Sequence, residues 1–185
     1  ILFFSFALLF NYNCKKQPNA LSKKDLASWE IGPFTKIDRL NPILKPDPSL
    51  VFLDPVSGKE TAWEGRNVLN PSAVVKDGKV YLIYRAQDQK MTSRIGLAIS
   101  EDGVHFTKQT TPIFFPDNDH MLPYEQLGGV EDPRVVQGPD GLYLLTYTAY
   151  DGKTARLCLA SSKDLKTWTK HGPVLQDPKN IDLWS

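Results

Sequence analysis

The chain repeats its own plan, and that repetition limits what it can become. Residues 70–108 open with Asn70-Pro71-Ser72-Ala73-Val74-Val75 and pass through Asp77-Gly78 into Val80-Tyr81-Leu82-Ile83-Tyr84-Arg85-Ala86. They continue with Ser93-Arg94-Ile95-Gly96-Leu97-Ala98-Ile99-Ser100 and Asp102-Gly103-Val104-His105-Phe106. Residues 132–170 repeat the order: Asp132-Pro133-Arg134-Val135-Val136, Asp140-Gly141, Tyr143 to Ala149, Ala155-Arg156-Leu157-Cys158-Leu159-Ala160-Ser161-Ser162, then Asp164-Leu165-Lys166-Thr167-Trp168. Pro71 maps to Pro133 and Arg94 to Arg156 at an offset of 62, and Gly78 to Gly141 at 63. Each copy reads as four short strands. The first runs to an Asp-Gly pair that suits a tight hairpin. The second is apolar at nearly every position and rich in β-branched and aromatic residues, as a strand covered on both faces would be. The third begins at the arginine and ends in a Ser-x-Asp turn; the fourth carries Phe106 or Trp168.

Four antiparallel strands per repeat is the anatomy of a propeller blade, so the expected fold is all-β. Pro-centred segments (Asn41-Pro42-Ile43-Leu44, Thr111-Pro112-Ile113-Phe114, Gly172-Pro173-Val174-Leu175) separate the repeats and mark part of a further unit before residue 41 and another near 173. From residue 29 the chain has 157 residues, or about 2.5 repeats. A propeller needs about four blades to close, so the sequence reads as the first two to three blades of a longer domain. The bland alternative is an open β-sandwich with a duplication. The formal net charge is +1 with no long basic run, which gives a nucleic-acid partner no electrostatic support.

The beginning reads differently. Ile1 to Phe10 is almost wholly apolar and too short for a stable bilayer-spanning helix. It fits the apolar part of a secretory signal. Cys14 follows directly, as at a bacterial lipoprotein cleavage site, although Leu9 to Asn13 lacks the usual small residues. The expected organisation is a signal or lipoprotein-type segment over 1–14, a Lys-rich tether over 15–28, and an incomplete propeller over 29–185. The expected location is outside the cytoplasm, as a periplasmic or cell-surface lipoprotein of a bacterium, touching membrane only through a lipid on Cys14. The second cysteine, Cys158, sits in an apolar run and reads as a buried small hydrophobe.

Where two copies of one plan differ, the difference points to function. Asn70-Pro71 becomes Asp132-Pro133: the proline stays and the amide becomes a carboxyl. First strands of propeller blades line the central channel, so Asn70 and Asp132 would share an axial pocket. A partly desolvated carboxyl there can keep its proton and act as a general acid. Arg85 has Thr148 as its counterpart, a second departure. Arg94 and Arg156 are equivalent, so a shared structural pairing explains Arg94 as well as a ligand role does. Glu131 reads as a partner that orients Arg134, or as a structural ion pair. Asp117-Asn118-Asp119-His120 matches no standard calcium or zinc spacing and reads as a solvated loop, so no metal is expected. Trp63, Tyr124 and Tyr150 are placed to stack on sugar rings or to pack.

The strings Gly128-Gly129-Val130-Glu131-Asp132-Pro133-Arg134, Gly65-Arg66-Asn67-Val68-Leu69-Asn70-Pro71 and Tyr84-Arg85-Ala86-Gln87-Asp88, with Ser93 to Ala98 and Tyr147 to Tyr150, resemble glycoside hydrolase family 130 over roughly residues 41–185. That resemblance implies a five-bladed propeller acting on β-mannosides with inversion. It implies Asp132 as the acid, protonating the glycosidic oxygen through the 3-hydroxyl of the bound mannose. Asn70 and Arg85 match positions that hold the mannosyl unit; Asp88, Arg94 and Arg134 are candidates for the same shell. No cofactor is implied beyond inorganic phosphate as co-substrate in the family's phosphorylases. The partner expected is a mannose-containing oligosaccharide. Glycosidases normally use two carboxyl groups, and the sequence offers one convincing one. The exported leader inclines the reading to hydrolysis, with phosphorolysis as the alternative and a non-catalytic glycan-binding lipoprotein as the third.

Overall fold

The computed structural model describes residues 34–175 together with Trp29 and Gly32. The leader, Cys14 and the tether lie outside the described residues. A compact body starts at Leu40. Its first element is a hairpin of β1 (Val51–Asp54) and β2 (Lys59–Ala62). Two four-stranded antiparallel repeats follow. The first is β3 (Asn67–Lys76), β4 (Lys79–Gln87), β5 (Ser93–Ser100) and the short β6 (Thr107–Lys108). After a one-turn helix α1 (Leu122–Glu125) comes the second: β7 (Gly129–Gln137), β8 (Tyr143–Tyr150), β9 (Ala155–Ser162) and β10 (Thr169–Pro173). In each repeat, sequential strands pair as neighbours. The all-β reading and the paired repeats therefore hold.

The apolar run in β4 is explained by two cores. Alternate side chains of a strand point to opposite faces. Leu82, Tyr84 and Ala86 pack with Phe52, Trp63 and Ala98 on one face. Ile83 joins Ile95, Leu97 and the second repeat's Val130, Val135, Leu145, Tyr147 and Ala149 on the other. β8 departs from the expectation of two covered faces. Tyr143, Leu145, Tyr147 and Ala149 are buried, whereas Leu144, Thr146, Thr148 and Tyr150 are only half-buried. The described residues lay no second core on that face. Cys158 is buried, as its apolar run implied.

The turns differ as well. Asp77 and Gly78, at φ 50° and 73°, close a two-residue hairpin between the paired Lys76 and Lys79, the conformation that Asp-Gly favours. The second copy is not a tight hairpin. Pro139 precedes Asp140-Gly141, and the link widens to Gly138–Leu142, closed by the Gly138 N–H on the Leu142 carbonyl at 2.7 Å. The Ser-x-Asp turns do match. Ser100 Oγ and Ser162 Oγ donate to Asp102 and Asp164, whose Oδ1 atoms each accept two backbone N–H groups of the following residues.

One junction between the two repeats is crowded. Ser93 at the start of β5 pairs in parallel with Gly129 at the start of β7, and its N–H donates to the Gly128 carbonyl at 2.8 Å. Gly129 has φ 93°, and a Cβ there would sit 2.1 Å from the Ser93 carbonyl oxygen. Only glycine permits both the backbone conformation and the approach.

Candidate active site

The site grows from a duplicated irregularity. In β3, Asn70 and Pro71 together oppose Tyr84; in β7, Asp132 and Pro133 together oppose Tyr147. Two residues facing one is a β-bulge, and proline is tolerated in a sheet at such a place. Asn70 and Asp132 both take φ 47°, a left-handed conformation that Asn and Asp adopt more readily than other side-chain-bearing residues. The bulge re-aims each side chain. The first strands β3 and β7 then approach closely enough for Ser72 Oγ to accept the Val135 N–H at 3.0 Å and for Asn70 Nδ2 to donate to Asp132 Oδ1 at 2.6 Å.

Arg85, from β4, binds both acidic residues of the Glu131-Asp132 pair. Nη1 donates to Asp132 Oδ1 at 3.0 Å, Nη2 to Glu131 Oε1 at 2.6 Å, and Nε to Ser93 Oγ at 3.0 Å. Arg85 and Glu131 are largely buried, while the Asp132 side chain is 39% exposed. Burial pushes the Glu131 carboxyl above its ordinary value; the Arg85 charge and the Ser93 hydroxyl pull it back, and the Asp132 charge adds to the rise. Among the described residues, both hydrogen bonds to the Asp132 carboxyl end on Oδ1. Oδ2 is thus the oxygen that can carry a proton outward.

The structure brings Asn70, Arg85 and Asp132 together and leaves the other candidates elsewhere. Glu131 pairs with Arg85 and not with Arg134. Arg134 is exposed and its Nη1 folds onto the neighbouring Pro133 carbonyl at 2.8 Å. The two-residue bulge shifts the side-chain alternation, so Arg134 falls in register with Thr146 beyond it. Asp88 and Arg94 are buried in a separate cluster, where Arg94 donates to Asp88 Oδ2 at 2.9 Å and to Asp54 Oδ2 at 2.6 Å. Arg156 donates likewise to Asp151 at 2.7 Å, so the shared structural pairing is what the structure holds. Asp88 and Arg94 line a cavity of about 490 Å³ whose walls include neither Asp132 nor Arg85. Trp63 is fully buried, with Nε1 on the Thr110 carbonyl, and so packs rather than stacks on a ligand. Asp119 accepts from Lys170 at 3.0 Å.

Sequence reading missed a second buried feature that also repeats. Tyr84 donates to Glu64 at 2.7 Å and Lys108 is ion-paired to it; Tyr147 donates to Glu125 at 2.9 Å and Lys170 is paired to it at 2.6 Å. Both glutamates are fully buried. Each trio ties the segment before a repeat to its second and fourth strands, behind the bulge. The signal was an offset of 61 to 63 between Glu64 and Glu125, Tyr84 and Tyr147, and Lys108 and Lys170.

Residues 37–185 match the family model for beta-1,4-mannooligosaccharide phosphorylase of glycoside hydrolase family 130. The chain belongs to glycoside hydrolase family 130. A 1,2-beta-oligomannan phosphorylase of Thermoanaerobacter sp. (strain X514) is 36% identical over 64% of this chain and 42% of that protein. A beta-1,2-mannobiose phosphorylase of the same organism is 34% identical over 69% of this chain and 45% of its own length. A solved structure described for glycoside hydrolases that target beta-1,2 mannosidic linkages in Candida mannan, within this family of mannoside phosphorylases, is 40% identical. It superposes with a TM-score of 0.81 over 85% of this chain and 46% of that one. The chain thus spans less than half the length of these family 130 relatives.

Proposed function

We propose that this family 130 chain is the N-terminal part of a five-bladed propeller enzyme that cleaves terminal β-mannosides, with β-1,2 linkages favoured, by phosphorolysis. The observation that carries the reading is the Asp132 carboxyl: fixed through Oδ1 by Asn70 and Arg85, free at Oδ2, and standing where the first repeat has an amide. A group used only to hold a sugar has no need of that exchange. Asp132 supplies the proton to the glycosidic oxygen through the mannosyl 3-hydroxyl, as the family resemblance implies, while phosphate attacks the anomeric carbon from the opposite face with inversion. Asn70 and Arg85 hold the mannosyl unit beside it. The two phosphorylase relatives support phosphate as the nucleophile. Export with a lipid on Cys14 remains part of the proposal on the strength of the leader sequence.

Hydrolysis is the second reading, supported by the 40% identical structure and by the leader. The full-length enzyme with β-1,2-mannobiose separates the two: phosphate-dependent release of mannose 1-phosphate supports phosphorolysis, and phosphate-independent release of mannose supports hydrolysis. In either case Asp132→Asn should lower turnover by about 10²–10⁴-fold while sugar binding persists. Near-normal turnover in that variant, with Glu131→Gln inactive, sinks the assignment of the acid.

A further inference from the structure

A polar chain leads through Ser93 to Glu131 Oε1, the oxygen that Arg85 also holds, and among the described residues only the first repeat has it. Asn67 Nδ2 donates to Gln87 Oε1 at 2.9 Å, and Gln87 Nε2 donates to Ser93 Oγ at 3.3 Å. Ser93 Oγ also accepts Arg85 Nε at 3.0 Å and lies 3.3 Å from Glu131 Oε1. A hydroxyl has two acceptor lone pairs and one proton. Arg85 and Gln87 occupy both lone pairs, so the single proton points at Glu131. The strand registers give the equivalents in the second repeat. Asn67, Gln87 and Ser93 lie where that repeat has Gly129, Tyr150 and Ala155, and Arg85 lies where it has Thr148. In the second repeat glycine, tyrosine, alanine and threonine stand in these places, so the set as a whole belongs to the repeat whose arginine reaches the Glu131-Asp132 pair. Packing alone gives no reason for such a set: Ser93 is fully buried and Gln87 nearly so, and buried polar groups are retained where their hydrogen bonds are complete.

We propose that Ser93, oriented by Gln87 and Asn67, is a positioning residue that fixes Glu131 as the ionised member of the Glu131–Asp132 pair and so leaves the shared proton on Asp132. This rests on the reading of Asp132 as the acid. Two carboxyls and one guanidinium meet here. With one proton between the carboxyls, only the form with Asp132 protonated is competent. The charged groups facing Glu131 are Arg85 from β4 and Asp132 from β7, with uncharged Ser93 on β5 and Thr148 opposite on β8. Burial raises Glu131 and favours the proton there; the Ser93 hydroxyl, together with Arg85, opposes that rise by stabilising the Glu131 carboxylate, and so biases the proton back towards Asp132.

The test is the pH–rate profile of full-length Ser93→Ala, Gln87→Leu and Asn67→Ala enzymes on β-1,2-mannobiose, with Asp132→Asn measured in parallel. Without the hydroxyl, the one-proton state gains an unproductive form with the proton on Glu131. The kcat/KM plateau in Ser93→Ala should fall about tenfold, and the basic limb should move up by about one pH unit, the scale of one hydrogen bond to a charged group. Gln87→Leu should move the limb in the same direction by less, because Ser93 can then turn its proton away. A purely structural lesion lowers the rate without moving the limb. A limb that stays in place in both variants therefore overturns the proposal, whatever the rate. If Ser93→Ala does not fold, Gln87→Leu and Asn67→Ala decide it by the same criterion. An inactive Asp132→Asn beside unshifted limbs overturns the positioning role alone, whereas an active Asp132→Asn overturns the acid assignment beneath it.

Discussion

Replacing Arg85 by methionine keeps most of the side chain's length and removes its charge. Glu131 then loses a guanidinium at 2.6 Å while remaining largely buried. Removing one partner of a buried ion pair typically costs about 3–5 kcal/mol. The Asp132 half of the interaction adds little, because that carboxyl is 39% exposed and water screens it. Glu131 can escape the penalty by taking up a proton, so the cost depends on pH. In the wild type its folded-state value already stands above the ordinary 4.5, and without Arg85 it rises further. A carboxyl raised on folding contributes stability below its unfolded value and loses it as pH rises through the folded one. The extra destabilisation of Arg85→Met should therefore be small near pH 4 and grow by up to about 1.36 kcal/mol per pH unit, levelling off at about 3 kcal/mol after roughly two units. Chemical unfolding of the full-length enzyme at pH 4, 5, 6 and 7 measures this. The Arg85→Met/Glu131→Gln double variant should recover most of the loss and flatten the pH dependence. A penalty equal at all four pH values, or a double variant no more stable than the single one, would refute the account.

Two further outcomes follow from the repeats themselves. Gly129→Ala should abolish soluble full-length protein or lower its Tm severely, because its Cβ would lie 2.1 Å from the Ser93 carbonyl oxygen. Gly78→Ala, with open space around it, should cost only the left-handed strain of about 1–2 kcal/mol; comparable losses in the two variants would contradict the crowded junction. Lys170→Met should destabilise by about 3–5 kcal/mol in chemical unfolding, since the fully buried Glu125 loses its cation at 2.6 Å. Adding Glu125→Gln should restore much of that loss, and a double variant as unstable as Lys170→Met alone would show that the trio is not held by its charge.

The repeat made the strands legible because hydrophobic alternation, Asp77-Gly78 and the Ser-x-Asp turns are local signals that need no tertiary knowledge. Asp132 was legible for a related reason: two copies of one plan expose their own exceptions. Arg85 was singled out in the same way, but its grip on both Glu131 and Asp132 was not, since it depends on how closely two first strands approach. Arg134 misled because motif proximity says nothing of the side-chain phase shift that a bulge introduces. The Tyr-Glu-Lys trios escaped notice because Glu64 and Glu125 precede the repeated segments, so that Tyr84 and Tyr147 read as members of apolar runs and Lys108 and Lys170 as ordinary lysines in polar stretches.

The matched bulges before Pro71 and Pro133 also bear on how this scaffold changes its chemistry over time. Both copies hold their leading side chain in the same backbone socket, at φ 47°. Asparagine and aspartate fit it equally well in size and shape and differ by one base in their codons. A single nucleotide change at position 132 would turn the proposed proton donor into an amide without disturbing the packing behind it. The same change in reverse at position 70 would give the neighbouring socket an acid. Cleaving a glycan and merely holding one are thus adjacent states in the mutational landscape of this fold, separated by chemistry and hardly at all by structure.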